Sequence, residues 1–300
     1  MENVWLHRYC VLLAVCTLFL VLAGASVTSN QAGLSVPDWP LSYGQVMPEM
    51  EGGVFYEHGH RMIASVVGFM TIILAIWIWR ADKRKWMRRL GMLALAAVIL
   101  QGVLGGMTVL FMLPPAISIS HACLAQLFFA ATAAIALFTS PSWKRGPSIV
   151  EDSGWPSIRS LAIAVPVLVL VQVALGAAYR HRVLTVIPHI IGAIFVIAFI
   201  LLVAVFVLAQ FGPHRDLKRT AVALIGVTSI QMLFGIAAYL VRVSTSDVVT
   251  PTPQLVLYTV IHAGVGALTM AVSVLLAIQV LRHVRPRVPH AAHRGVSAVS

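Results

Sequence analysis

The stretch QGVLGGMTVLFMLPPAISISH, residues 101–121, holds the unit from which most of this chain is built. Gln101 and Gly105 lie near the end of one apolar segment, a short proline-containing turn follows, and His121 lies at the start of the next. The same order occurs twice more, in Gln172 to Gly176 with His189 and in Gln231 to Gly235 with His262. The unit is a helical hairpin, and its recurrence along the chain predicts a repeat architecture.

A weaker copy of the unit lies at the N-terminus. The first apolar segment keeps only the small residues of the motif, Leu22-Ala-Gly-Ala25, and His60 follows after a longer loop. Four copies predict two halves with two hairpins each. A cleavable signal peptide is a poor interpretation of the first segment, because that segment is needed to complete the repeat.

The composition places these hairpins in a membrane. The chain has 300 residues, 59% hydrophobic and 10% charged, with a mean hydropathy of +0.91, which excludes an ordinary soluble domain. Eight apolar runs have about the twenty residues that a spanning helix needs: 9–28, 60–80, 90–111, 117–138, 159–179, 187–210, 219–241 and 255–281. Because the runs are continuously apolar, they predict helices and not a barrel. The predicted fold is an all-α integral membrane protein with two pseudo-symmetric four-helix bundles.

The charge pattern predicts the orientation in the membrane. The net charge is +11, and 17 of the 21 Lys and Arg residues fall on one side of the predicted spans. The positive-inside rule places that side, with both termini, in the cytoplasm. The basic clusters are therefore topology signals in a bacterial cytoplasmic membrane, and no nucleic-acid partner is expected.

Residues 140–158 are rich in Pro, Ser and Gly and are interpreted as a cytoplasmic linker. The predicted parts are an N-terminal half at 1–139, the linker, a C-terminal half at 159–283 and a basic cytoplasmic tail at 284–300. The three cysteines fall inside apolar segments and predict no disulfide framework.

The four repeat histidines are the strongest functional signal. His60, His121, His189 and His262 all lie at the outer ends of apolar segments, and an ionisable residue in a membrane is by default a functional candidate. Paired imidazoles are axial ligands of haem iron. Their common depth disfavours electron transfer across the membrane, and zinc is a weaker alternative because structural zinc sites favour thiolates. The Gln and Gly positions either serve helix packing alone or make room for a flat macrocycle.

One carboxylate distinguishes the two halves. Glu57 precedes His60 by three residues and so shares its helix face. The equivalent positions before the other histidines hold Ser118, Val186 and Thr259. Glu57 is predicted to orient an imidazole, handle protons or direct a substrate; the alternative is a solvated acid that caps the helix. The neighbouring His58, like His181, is expected to face solvent.

The outer side also carries the few basic residues outside the cytoplasmic clusters: Arg61, Arg180, Arg182 and Arg242. Haem propionates would need such partners, although arginines also serve as interfacial anchors. The longest outer loop, about 28–59, contains turn residues and Trp39, which predict an ordered lid over the first histidine pair or a purely structural cap.

On these residues the chain resembles the haem A synthases of the CtaA/Cox15 family. The resemblance rests on Gly33-Leu-Ser-Val-Pro-Asp-Trp-Pro-Leu41, on Glu57-x-x-His60-Arg61, on the four histidines and on the repeated Gln and Gly positions. It covers all eight apolar segments.

The resemblance implies a membrane oxidoreductase that oxidises the C8 methyl group of haem O to a formyl group by successive hydroxylations, giving haem A for terminal oxidases. It implies that His189 and His262 ligate a haem b, that His60 and His121 frame the substrate haem, and that Glu57 is required nearby. An external electron donor is expected, since no strand-borne Gly-x-Gly-x-x-Gly is present. A haem O synthase partner and a homo-oligomer are left open.

The chain departs from the family at one point. Many bacterial members carry a disulfide-forming cysteine pair where this sequence has Val36 and Ser42, so the rigidity of the loop is in question. Two other classes remain open beside the enzyme. A non-catalytic di-haem cytochrome or haem carrier would need the histidines but not Glu57, and a transporter would share the repeats but lacks charge at mid-depth.

Overall fold

The computed structural model describes residues 4–152 and 154–286, which are almost entirely helical. Eight of the described helices are long and apolar enough to cross a membrane, which confirms the all-α membrane class. They are α1 Val4–Ser29, α2 Gly52–Ala81, α3 Lys85–Leu110, α4 Pro115–Thr139, α6 Ile158–Arg180, α7 Val186–Phe211, α8 Arg215–Ser244 and α9 Pro253–His283, with the short α5 Pro141–Lys144 between the halves.

The helices begin earlier than the apolar runs predict. α2 begins at Gly52 and α9 at Pro253, so His60 and His262 lie two turns or more inside their helices instead of opening them. Helical hydrogen bonding continues through the polar turns at the ends of a span, whereas hydropathy detects only the part that matches the hydrocarbon core.

Each half is a ring of four packed helices. In the N-terminal half α1 packs on α2 and α4, and α3 packs between α2 and α4. In the C-terminal half α6 packs on α7 and α9, and α8 packs between α7 and α9. Leu13, Leu74 and Ile135 are buried in the first ring, and Ile200, Leu224 and Leu276 in the second. This order brings the two helices of every predicted hairpin into contact.

The two rings meet along α4 and α9, the most buried of the spanning helices. Phe129 packs there against Ala267 and Ala271, and the hydroxyls of Ser29 and Thr259 lie 2.8 Å apart across the α1–α9 contact. Small residues allow such close helix approach in membranes. A two-fold axis between the halves would exchange the α1–α9 contact with the α4–α6 contact, and both contacts are present. The two-fold relation itself and the membrane side on which the termini lie stay predictions.

The segment predicted as a linker is ordered. Besides α5 it contains strand β1, Val150–Asp152, which pairs in parallel with β2, Val284–Pro286, directly after α9. Arg159 donates to the carbonyl oxygens of Leu281 and Val284, and Asp152 accepts from the backbone N–H of Ile158 at 2.9 Å. The segment is therefore fastened to the end of the C-terminal half. Of the predicted tail only residues 284–286 are described; residues 287–300 and Ser153 lie outside the described residues.

Candidate functional site

His189 of α7 and His262 of α9 face each other across the C-terminal ring. Their ring centroids are 6.3 Å apart and the ring planes make an angle of 84°. A metal-bound imidazole nitrogen lies about 2.0–2.1 Å from its metal, and the centre of the ring lies about 1 Å beyond that nitrogen. Two imidazoles on opposite sides of one metal ion would therefore have ring centroids about 6 Å apart. The separation fits a pair of axial ligands to one haem iron.

The glycine of each repeat lies against the imidazole of its hairpin. A Cβ atom at Gly176 would lie 2.9 Å from Cε1 of His189, and one at Gly235 would lie 2.8 Å from Cε1 of His262. Cβ atoms at Gly105 and Gly24 would likewise lie 3.3 Å and 3.1 Å from the rings of His121 and His60. The glycines therefore make room for the histidine rings.

In the three copies of the repeat that contain a glutamine, this residue holds the histidine of the same hairpin by hydrogen bonds. The Gln101 amide donates to the carbonyl oxygen of His121 at 3.0 Å, and the Gln172 amide donates to that of His189 at 2.8 Å. The amide nitrogen of Gln231 lies 3.2 Å from Nε2 of His262, whose Nδ1 lies 3.1 Å from the Gln231 carbonyl oxygen. Coordination through Nε2 of His262 would require this amide to turn away.

The N-terminal ring contains the second pair. His60 and His121 lie within electrostatic range of each other, and the Nδ1 atom of each is buried without a hydrogen-bond partner among the described residues. A buried polar atom that lacks a partner costs about 1–3 kcal/mol. Imidazole nitrogens kept in this state fit a role as ligands. Across the described residues no group of three or more His, Cys, Asp or Glu side chains could hold a metal ion.

Glu57 does not cap a helix and is not solvated, so the alternative interpretation of this acid is wrong. Its side chain is buried, 4% exposed, in the second turn of α2. One carboxylate oxygen accepts from Arg61 at 2.7 Å, and the other accepts from the backbone N–H of Val36 at 2.9 Å. Both oxygens of the acid are therefore engaged, by a cation and by the outer loop.

His58 is also buried, contrary to the expectation that it faces solvent. It is 6% exposed, its Nδ1 lies 2.8 Å from Oγ of Ser42, and its Nε2 has no partner among the described residues. Positions 58 and 61 are neighbours on the helix surface, but the burial of His58 depends on the outer loop that covers it, which the helix pattern does not indicate. His181 is half-buried at the end of α6, where burial and the Arg180 charge lower its pKa.

The predicted propionate-binding arginines fall into two groups. Arg61 is occupied by protein, since it binds Glu57 and donates to the carbonyl oxygens of Asp38 and Leu41 at 2.8 Å. Arg180 and Arg242 lie within electrostatic range of each other, and neither has an acidic partner within ion-pair distance in the described ranges. Two like charges held together at the outer end of the C-terminal ring favour an anion; Arg182 is exposed nearby.

The outer loop is ordered and lies over the N-terminal pair; its residues 33–45 are called the lid below. The Asp38 carboxylate accepts from the backbone N–H groups of Tyr43 and Gly44 at 2.7 and 2.8 Å. The hydrogen bond from Gly44 is the largest influence that lowers the Asp38 pKa. The Trp39 ring packs on Gly106, where a Cβ would lie 2.7 Å from it, and a cis peptide bond joins Trp39 to Pro40.

Fold and site together define a class of protein: a polytopic helical membrane protein with two partly buried imidazoles in each half, which face each other in the C-terminal half. The family model "Cytochrome oxidase assembly protein", COX15-CtaA, matches residues 49–188, a range that includes Glu57, His60 and His121. Over these residues the chain is similar to this family.

Several bacterial proteins described as heme A synthase are similar to the chain. The protein of Alkalihalophilus pseudofirmus is 29% identical over 266 residues, which cover 77% of this chain and 86% of that protein. The proteins of Shouchella clausii and Halalkalibacterium halodurans are both 30% identical, over 59% and 54% of this chain and 59% and 55% of their own lengths. The first of these alignments is long enough to include most of the eight spans.

Proposed function

We propose that this protein is a haem A synthase, a membrane oxidoreductase that converts haem O to haem A by successive two-electron oxidations of the C8 methyl group to a formyl group. Similarity to the COX15-CtaA family and to heme A synthases supports this activity. The sites face the outer side of a bacterial cytoplasmic membrane, and the redox partner is external to the chain.

The observation that carries the proposal is the difference between two otherwise equivalent histidine pairs. Both pairs rest on the glycine positions of the repeat. Among the described residues, only the pair of His60 and His121 is covered by a lid and flanked by a buried acid, Glu57. A pair that only carries electrons does not need a cover, whereas a reaction site benefits from excluding water.

The two pairs therefore receive different roles. His60 and His121 frame the substrate haem and fix the position of its methyl group in the N-terminal ring. His189 and His262 would hold a haem b, which supplies electron transfer when bound. Arg180 and Arg242 would bind its propionates, because guanidinium groups pair well with carboxylates.

Haem extraction tests the activity. Cells supplied with haem O and expressing the protein should yield hydroxylated or formylated haem by mass analysis, and cells expressing the His60→Ala variant should not. Recovery of unmodified haem b alone from the parent protein would support a haem carrier and overturn the enzyme.

A matched pair of variants on α9 tests the haem b site. His262→Ala should abolish the low-spin haem b spectrum, because one axial ligand is lost. His283→Ala, at the other end of the same helix, should leave that spectrum in place. An unchanged spectrum in His262→Ala would show that the C-terminal pair does not hold this haem.

A further inference from the structure

The lid bridges α2, which carries His60, and α3, whose Gly105 lies against the ring of His121. At one end the Trp39 ring lies on Gly106 of α3, the residue after the glycine that contacts His121. At the other end the lid contacts the turns of α2 on either side of His60. The lid thus crosses the outer opening between the two histidines.

Three side chains of α2 hold the lid in place. Glu57 accepts from the Val36 backbone, His58 contacts the Ser42 hydroxyl, and Arg61 donates to the carbonyl oxygens of Asp38 and Leu41. The Arg61 guanidinium also lies 3.3 Å from Oγ of Ser42 and binds Glu57, so the three side chains form one connected network. Glu57, His58 and Arg61 are called the latch below.

We propose that the latch keeps the lid closed over the His60–His121 site, and that Glu57 and His58 are positioning residues which act through the lid. Each Glu57 oxygen already accepts a hydrogen bond from the protein and the side chain is buried, so while the lid is closed the carboxylate is directed to Val36 and Arg61. A flat macrocycle that enters between His60 and His121 must pass this opening, and closure then excludes water from its reacting edge. The identity of the substrate in this inference rests on the proposed function, whereas the contacts between latch and lid do not.

The lid contains a built-in reporter of its state. The Val36 side chain is 0% exposed, while only its backbone N–H binds Glu57. Val36→Cys therefore places a thiol under the closed lid without removing a latch contact. Val46, which follows the lid and is 82% exposed, provides the matched position outside it.

The experiment measures the rate at which a membrane-impermeant maleimide labels the introduced thiol. The background carries alanine at the three native cysteines, which are free. Val36→Cys should label slowly, and adding Glu57→Ala should raise the rate at least tenfold, as loss of about 1.4 kcal/mol of closure energy would give. Val46→Cys should label equally fast with and without Glu57→Ala. Glu49→Gln, an exposed acid on the same outer loop, is the control that should not change either rate.

An unchanged rate for Val36→Cys in the Glu57→Ala background would overturn the latch. The retained haem b spectrum of the C-terminal pair checks that each variant has folded. Because labelling requires no conversion of haem O, the latch and the proposed function fail independently: slow labelling of Val36→Cys that Glu57→Ala accelerates, without any haem A activity in the parent, would remove only the proposed function.

Two variants at His58 distinguish the effect of its hydrogen bond to Ser42 from the effect of its size. His58→Asn keeps a polar atom near the position of Nδ1 and should retain slow labelling of Val36→Cys, because its amide still reaches Ser42. His58→Leu keeps an apolar side chain of similar size and should label faster. Equal rates in the two variants would remove His58 from the latch.

Discussion

Glycine and histidine form a matched unit at all four repeat positions. Each imidazole lies so close to a helix of the neighbouring hairpin arm that a single added carbon would meet its ring at 2.8–3.3 Å. A helix interior does not otherwise favour glycine, which costs about 1 kcal/mol relative to alanine there. The repeat glycines therefore accommodate the imidazole rings and do not stabilise the helices that contain them.

Gly235→Ala should displace the His262 ring and lower the low-spin haem content, because overpacking of a fitted contact costs about 1–3 kcal/mol. Gly226→Ala on the same helix is the control, since a Cβ there meets nothing within 4 Å. Absorbance of the reduced protein, normalised to protein concentration, measures both. Equal haem content in the two variants would contradict the role assigned to Gly235.

For single residues, the sequence selected candidates for the functional site but did not indicate which atoms these residues contact. Equivalent positions in the repeat were enough to select His60, His121, His189 and His262. The partner of the repeated glycine could not be predicted, since it depends on the distance between two helix axes. His58 was misplaced because its exposure is decided by the lid folding over it, not by its own helix.

The lid is the element in which local turns and long-range contacts cooperate. Within the lid, the Asp38 carboxylate accepts hydrogen bonds from two backbone N–H groups at the tip. Outside the tip, the lid is held by hydrogen bonds to side chains of α2. Turn residues in the sequence predicted the internal order. The external order follows from the register of α2, which hydropathy placed eight residues too late.

Acid should loosen the lid tip. The Asp38 pKa lies below its ordinary value of about 3.9. The ionised carboxylate therefore contributes fully to the stability of the lid tip above about pH 3.9, and this stabilisation is lost as the pH falls through the lowered pKa of the folded state. Hydrogen exchange of the Tyr43 and Gly44 amides, corrected for intrinsic rates, should show protection that is constant from pH 6 to about pH 4 and declines below it. Asp38→Asn should show no such decline, and a parent profile without one would contradict this assignment.

The whole molecule is organised by charge as well as by repeats. The connections between α2 and α3, between α4 and α6 and between α7 and α8 all lie at one end of the bundle, and together with the adjoining helix turns they carry 12 of the 21 Lys and Arg residues. The lid and the histidine pairs lie toward the other end. The eight spans and their pairing into hairpins were predictable from hydropathy and repetition, whereas the central position of α4 and α9 was not, because it depends on contacts between the halves.

Thiol labelling of intact cells should establish the orientation. In a cysteine-free background, Val46→Cys should react with an impermeant reagent in intact cells, because the lid end faces outward. Lys144→Cys, exposed in α5 at the basic end, should react only after permeabilisation. The reverse pattern would invert the topology and place the histidine pairs on the cytoplasmic side.

The pairing of β1 with β2 has a consequence for biosynthesis. Val150 is made when the first half is complete, but its partner Val284 is made only after α9. During translation the second ring therefore stays open at its basic end until the last spanning helix has left the ribosome. A nascent chain that stalls within α9 would expose an unpaired strand edge beside a ring that lacks one wall, a state that quality-control proteases can recognise.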